Sequence, residues 1–452
     1  MDAAAGSADA PLLLLAVSSL VILTAIQSRR RRVLRGAPSP PSLPLLGHLH
    51  LLGYPLHRAL ASLAVAQGRP GVSAAAPVLS LRLGARRALL VSAHAAAVEC
   101  FTERDAALAG RPRLLARGVL GYGCTDILWA SYGDHWWTLR RFFSAELLSA
   151  SRLAARAADR RAEVAALVDN LLRDATDGAT PLMMVTLRPR LFEFVINVML
   201  RALIGVSLHG SDAARWQEIV EESVRLNAAP SVGDLYPALR WAILQGGTGT
   251  SMLTIEWAMA QLLLHPEAMK KVRAEIDTHV RTARLVEESD IASLPYLQCV
   301  VKETLRLRPV GPIIPAHEAM EDCTVGGFHV RWGTMILVNA WAIQRDPAAA
   351  WDAPDEFMPE RFLDDGGKVT TAAAVPMLPF GVGRRRCPAE AMAMRLVSSM
   401  VAALVQCFEW DVGEGRTIDM TEGGGLSMPM ATPLAAVCRP REFVKSMLSA
   451  ST

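Results

Sequence analysis

The residues whose types could do chemistry are concentrated in one stretch, residues 378–390, which reads LPFGVGRRRCPAE. Gly381 and Gly383 permit a tight turn, Cys387 follows it, and Pro388 suits the first position of an apolar helix predicted over residues 390 to about 407. A thiol at a helix N-terminus beside Arg384, Arg385 and Arg386 is expected to favour its thiolate form. A thiolate is a soft metal ligand. The plain alternative for a lone Cys is a small buried hydrophobe.

Four further groups stand out. Trp136 and Arg140 lie four residues apart, on one helix face, where a cation over an indole is a common stabiliser. The run Gln245-Gly246-Gly247-Thr248-Gly249-Thr250-Ser251 opens a helix predicted to end at His265, before Pro266. Three glycines in one helical segment cost about 1 kcal/mol each relative to Ala, and neither phosphate-cradling glycine spacing is present to account for them. Glu303 and Arg306 place an acid and a base at i, i+3 on a helix predicted over residues 295–308. Arg361 follows in Pro359-Glu360-Arg361-Phe362, and a lone His317 sits in Pro315-Ala316-His317-Glu318.

Phe380-x-x-Gly383-x-Arg385-x-Cys387 resembles the haem-binding loop of the cytochrome P-450 superfamily, the haem-thiolate monooxygenases. The resemblance implies that Cys387 is the iron ligand of haem b, that Phe380 packs beside the sulfur and that Gly383 lets the backbone approach it. It further implies that Arg385, Trp136, Arg140 and His317 reach the haem propionates. Glu303, Arg306 and Arg361 would form a buried network serving folding and haem retention. Gly246, Gly247, Thr250 and Ser251 match the family's oxygen-side helix, whereas Gly249 stands where the family has an acid. A positioned acid contributes roughly 10²–10⁴-fold, so its loss implies slow or uncoupled turnover with Thr250 kept as hydrogen-bond donor. Ala389 also departs from the usual Gly. The loop Gly425-Leu426-Ser427-Met428-Pro429-Met430 resembles one whose side chains face substrate, and details such as Thr254-Ile255-Glu256-Trp257-Ala258-Met259 resemble the plant clan that oxidises flavonoids and specialised metabolites.

The elements that must position these residues fit a chain of 452 residues able to bury a large core. The expected class is mainly α with small β-sheets. Runs at 78–83 and 88–91 predict a hairpin around Gly84, and residues 323–330 with 333–339 predict another. Helices are expected over 153–173, 191–206 and 213–227. Two helices that roof the distal pocket in the family are expected to be absent in part, because the chain passes almost directly from Trp241 into Ala242 and the Gly-rich run.

A net charge of +3 points away from a nucleic-acid partner, and seven scattered cysteines without a C-x-x-C pair suggest reduced thiols rather than a zinc site or disulfide frame. Residues 10–28 carry no charge and as a helix reach about 28 Å, enough to enter a bilayer, with Arg29-Arg30-Arg31-Arg32 behind them. The sequence therefore predicts a signal-anchor over 1–32 with a cytosolic body, a proline-rich hinge over 33–50 and a catalytic domain over 51–452. The resemblance implies an endoplasmic-reticulum monooxygenase acting on a small apolar substrate, with electrons from NADPH through a flavoprotein reductase. The rivals are an inactive haem-binding relic and an oxygen-independent isomerase of hydroperoxides.

Overall fold

The alternation of apolar and polar residues from Val78 produces, in this computed structural model, a hairpin of β1 (Val78–Leu83) and β2 (Arg86–Val91). The structure describes residues 36–68, 75–114, 123–177, 184–228, 249–281, 284–346, 351–364, 366–370, 377–424, 427–444 and 446. The predicted anchor, its arginines, the junction before Ala242, Gly246, Gly247, Gly425 and Leu426 lie outside them. Gly47 takes a φ of +63°, and a Cβ there would lie 2.2 Å from the Arg82 carbonyl oxygen. Through that close approach the described part of the predicted hinge lies against β1, where the buried His48 accepts from the Arg82 amide at 2.7 Å.

The helices follow in order: α1 (Leu56–Ala66), α2 (His94–Phe101), α3 (Asp134–Phe142), α4 (Ala150–Ala155) and α5 (Ala157–Asp177). Strand β3 (Met184–Thr186) leads into α6 (Leu187–Ile204) and α7 (Ser211–Ala228). The middle of the molecule is α8 (Thr250–Leu264), α9 (Pro266–His279) and α10 (Pro295–Leu307). Short strands β4 (His317–Glu318), β5 (Cys323–Val325), β6 (Phe328–Val330) and β7 (Met335–Val338) come next, then α11 (Ala340–Ile343). The chain closes with α12 (Glu390–Cys407), β8 (Phe408–Asp411) and β9 (Ala435–Pro440). The expected class, mainly helical with small sheets, is what the described residues form.

The second predicted hairpin is corrected. Gly326 and Gly327 both take positive φ, 59° and 76°, so the chain reverses within residues 323–330 and β5 pairs with β6 alone. The run at 333–339 instead supplies β7, which joins the first sheet parallel to β2 and antiparallel to β4, in the order β1-β2-β7-β4.

Helix α8 is the axis of the core. Every residue from Met252 to Leu262 is buried, because α6, α10 and α12 cover it on separate sides, and a helix wrapped in this way reads apolar all round. One acid interrupts that surface. Glu256, with no exposure, accepts from Arg188 Nε and Nη2 at 3.1 and 2.9 Å and from the Leu434 amide at 3.0 Å, tying α8 to the start of α6 and the approach to β9.

A second buried acid joins α10 to the loop that precedes the Cys387 stretch. Glu303 accepts from Arg306 Nε at 2.7 Å and Nη2 at 2.8 Å, and from Arg361 Nε at 3.1 Å. Arg306 Nη1 donates to the carbonyls of Gln344 and Pro354, at 3.0 and 2.6 Å. Glu303 and Arg306 have no side-chain exposure, so removal of the acid strands two guanidinium groups out of water. Glu303→Ala is therefore expected to lower the unfolding free energy by about 3–5 kcal/mol in urea denaturation. Arg152→Ala, whose ion pair with Glu146 is open to solvent, is expected to change it by less than about 1 kcal/mol.

Candidate active site

The stretch around Cys387 is a loop whose shape is set by two glycines. Gly381 and Gly383 take φ of +68° and +71°, a region that disfavours side chains. A Cβ on Gly383 would lie 2.5 Å from the Phe101 carbonyl oxygen and 2.7 Å from Asp105 Oδ1, so the loop lies directly on the end of α2 and the turn after it. The Arg384 amide donates to Asp105 Oδ2 at 3.0 Å, and the Cys387 amide donates back to the Phe380 carbonyl at 2.8 Å. Phe380 itself packs against the main core.

One expectation about the thiol's placement is corrected: Pro388 is not the first helical residue, because α12 begins at Glu390, as predicted, with Ala389 at its N-cap. Burial pushes Cys387 above the ordinary thiol range, outweighing the Ala389 amide and the charges of Arg140 and Arg386, which act the other way. The three arginines explain why. Arg384 faces Asp105 and the Tyr132 ring, Arg386 is held bidentately by Glu390 at 2.6 and 2.7 Å, and Arg385 turns inward.

Arg385 is the most informative of them. Its Nε and Nη2 donate to the Ala109 carbonyl at 3.0 and 2.8 Å, and Nη2 also to Ala130 at 2.6 Å. Its Nη1 is buried and has no partner among the described residues. Burial, and then the charge of Arg140, push it down to about 10. Arg140 is half-buried on α3, lowered by burial and raised by Cys387, so it lies on the sulfur's side. The guanidinium stacked on Trp136 is that of Arg385, at 4.6 Å, not that of Arg140. The Trp136 indole N–H is directed to the Ile127 carbonyl at 3.2 Å.

His317 is no loop residue. It belongs to β4, is 2% exposed, packs edge-on to Phe101 and donates from Nδ1 to the Leu108 carbonyl at 2.9 Å. Burial, with the charge of Arg111 next, holds it well below the usual histidine range. Arg385 and His317 thus converge beside the loop with too little negative charge between them. An anionic group fits there, and so would haem: Arg385, with its spare donor, would hold a propionate and Cys387 would bind the iron through its sulfur.

Thr250, Ser251 and Gly249 are placed differently from the expectation of glycines inside a helix. Gly249, with φ +143°, is the N-cap of α8, and Thr250, exposed, and Ser251, half-buried, open its first turn. An acid at 249 would have to adopt a backbone that L side chains rarely take. Asp105, Ala109 and Ala130, which hold the loop, were not singled out in the sequence. Met428 of the predicted substrate-facing loop is fully buried, with its carbonyl accepting from Trp257 Nε1 at 2.8 Å.

A family model described as Cytochrome P450 matches residues 37–245 and 241–438. The two matched stretches overlap at residues 241–245, the junction singled out in the sequence. Isoflavone 3'-hydroxylase of Medicago truncatula is 36% identical, with 94% of this chain and 96% of that protein covered. That alignment spans 496 positions, more than the 452 residues of this chain, so it opens gaps here. (+)-Piperitol/(+)-sesamin synthase CYP81Q2 of Sesamum radiatum is 34% identical over 91% of this chain and 92% of its own length. Cytochrome P450 81D1 of Arabidopsis thaliana is 36% identical, covering 91% and 93%.

Replacing one sulfur and one guanidinium tests this geometry through haem content. Cys387→Ser is expected to abolish the thiolate-type band of the reduced carbon-monoxide difference spectrum. Arg385→Gln is expected to weaken haem retention about tenfold or more, since a hydrogen bond to a charged group contributes about 1.5–3 kcal/mol. An unaltered band in the Cys387→Ser protein would refute the assignment of the sulfur.

Proposed function

The chain belongs to the cytochrome P450 family, and on that premise we propose a microsomal monooxygenase that takes two electrons from NADPH through a flavoprotein reductase. Family membership makes haem its cofactor and monooxygenation its reaction class. One oxygen atom of O₂ enters a C–H bond of the substrate, and the other leaves as water with two protons and two electrons. Bound haem supplies the oxygen activation.

The observation that carries the reading is the Cys387 loop, turned by two glycines onto α2 and flanked by a buried arginine with a spare donor. Cys387 would hold the iron, and Arg385, Arg140 and His317 would hold the propionates. Glu303, Arg306 and Arg361 fix the loop beneath. The hydroxyls of Thr250 and Ser251, at the first turn of α8, are the groups we assign to hold water and pass protons. Arg384 and Arg386, 37% and 50% exposed, supply positive charge for the reductase, whereas Arg385 is turned inward and unavailable.

An apolar aromatic plant metabolite is the substrate class we favour, since the relatives include an isoflavone 3'-hydroxylase and a (+)-piperitol/(+)-sesamin synthase. The anchor over 1–32, the hinge over 33–50, the catalytic domain over 51–452 and the endoplasmic-reticulum location rest on the uncharged run at 10–28 and the four arginines behind it. Among the described residues α12 alone is long and apolar enough to cross a membrane, and it is mostly buried core.

A second reading, a haem-binding relic without turnover, is favoured by two observations: the acid is replaced by Gly249, and the family match breaks at residues 241–245. The two readings part on coupling. With a reductase present, the protein is expected to release much of its NADPH-derived reducing power as peroxide. Gly249→Asp is expected to release less than Gly249→Ala, which carries the same backbone strain without the carboxylate. Equal peroxide release per NADPH from Asp and Ala variants would show that the missing acid is not the cause, and no NADPH consumption at all would establish the relic.

A further inference from the structure

The C-terminal ends of α8 and α10 border a cavity of about 570 Å³, and none of its lining residues belongs to the set assigned to haem. That volume lies within the roughly 300–1,000 Å³ of small-molecule sites. Three arginines line it: Arg58, Arg308 and Arg345. One buried carboxylate, Glu422, serves two of them, accepting from Arg58 at 2.7 and 2.8 Å and from Arg308 at 2.6 Å while His57 approaches at 3.0 Å. The acid of Arg345 is Asp355, whose side chain is 83% exposed at the rim. Glu356, exposed, also lines the cavity, so with Glu422 and Asp355 three acids match the three arginines, and the ligand's character is set by which donors stay unpaired.

Its polar groups are also not fully satisfied. Arg308 Nε is buried without a partner among the described residues. Gln261, 4% exposed and lining the cavity, has no side-chain hydrogen bond among the described residues. Burial lowers Arg308 and pushes Arg345 down to about 10, with the neighbouring arginines acting in the same direction. Leu264 and Phe357 also line the cavity, the latter backed by the His265 ring at 4.8 Å. We propose that this cavity is a second binding site, remote from the haem loop, for a small aromatic carboxylate, its anionic head on Arg308 and Gln261 and its rings on Leu264 and Phe357. The unpaired Arg308 Nε calls for an acceptor, which a carboxylate supplies, and the apolar lining makes bare inorganic anions the poorer fit.

The probe is 2-naphthoate, with neutral 2-naphthamide as its charge control, measured by equilibrium dialysis against the haem-loaded full chain with imidazole saturating the iron. Saturable binding is expected at one equivalent, with the amide at least tenfold weaker. Leu264→Trp fills the cavity at a partly exposed position, and Gln261→Glu sets a carboxylate against the probe; each is expected to weaken binding tenfold or more. Binding lost on imidazole saturation, an amide that binds as tightly as the carboxylate, or both variants binding like the natural chain would overturn the proposal.

Discussion

The whole site depends on how closely the Gly383 backbone meets the end of α2. A methyl group at that position would collide with the Phe101 carbonyl and the Asp105 carboxylate, so the contact exists only because the side chain is absent. From it the loop inherits its register: Arg384 rests its amide on Asp105, Arg385 reaches the Ala109 and Ala130 carbonyls, and Cys387 closes back on Phe380. Helix α2 is in turn braced by the sheets, through Glu99 accepting from the Gly326 amide at 2.8 Å and Phe101 against His317. The thiol is thus placed by contacts remote in sequence, which is how a loop gains the precision of a helix or strand.

Three consecutive arginines meet three different fates, and their charge is the less important part of the design. One is paired with Asp105, one with Glu390, both still partly exposed, and the third is buried among carbonyls with a donor to spare. Desolvation then dominates the electrostatics of the sulfur and raises its pKa, despite the cations that a sequence places beside it. What the protein itself contributes around the sulfur is geometry and an unpaired donor. The Glu303 network obeys the same rule on the other side: its value is that two guanidinium groups and a carboxylate satisfy one another out of water, and so hold α10 against the Pro359–Phe362 turn.

What was legible in the sequence is what local chemistry dictates. Period and punctuation located α10, α12 and the β1–β2 hairpin, because a proline start, an apolar run or a tight glycine-containing turn acts within a few residues. The motif residues Glu303, Arg306 and Arg361 were legible as a set through resemblance, and the structure brings them within hydrogen-bond distance. What could not be read depends on distant partners. The direction of the Cys387 shift turns on burial, Asp105 is one acid among many until Gly383 is laid upon it, and the split of residues 323–339 between two sheets turns on where β2 offers a free edge. Glu422 sits in a glycine-rich loop without periodicity, so nothing local announces that it anchors Arg58 and Arg308.

Helix α8 shows where a loss of activity would enter such a structure. Its middle is locked by Glu256 and by Trp257 on the Met428 carbonyl, and its end by His265, whose Nδ1 donates to the Gln261 carbonyl. Its first turn has the Thr254 hydroxyl on the Thr250 carbonyl at 2.9 Å, with Gly249 before it in a backbone that imposes little on its neighbours. The residues assigned to proton handling therefore occupy the end of the helix that the core holds least. The break in the family match lies just upstream of that same turn. A change there would leave the folding network, the Cys387 loop and the buried length of α8 untouched and act on the first turn of the helix, so a fold of this kind could persist while its oxygen chemistry was altered.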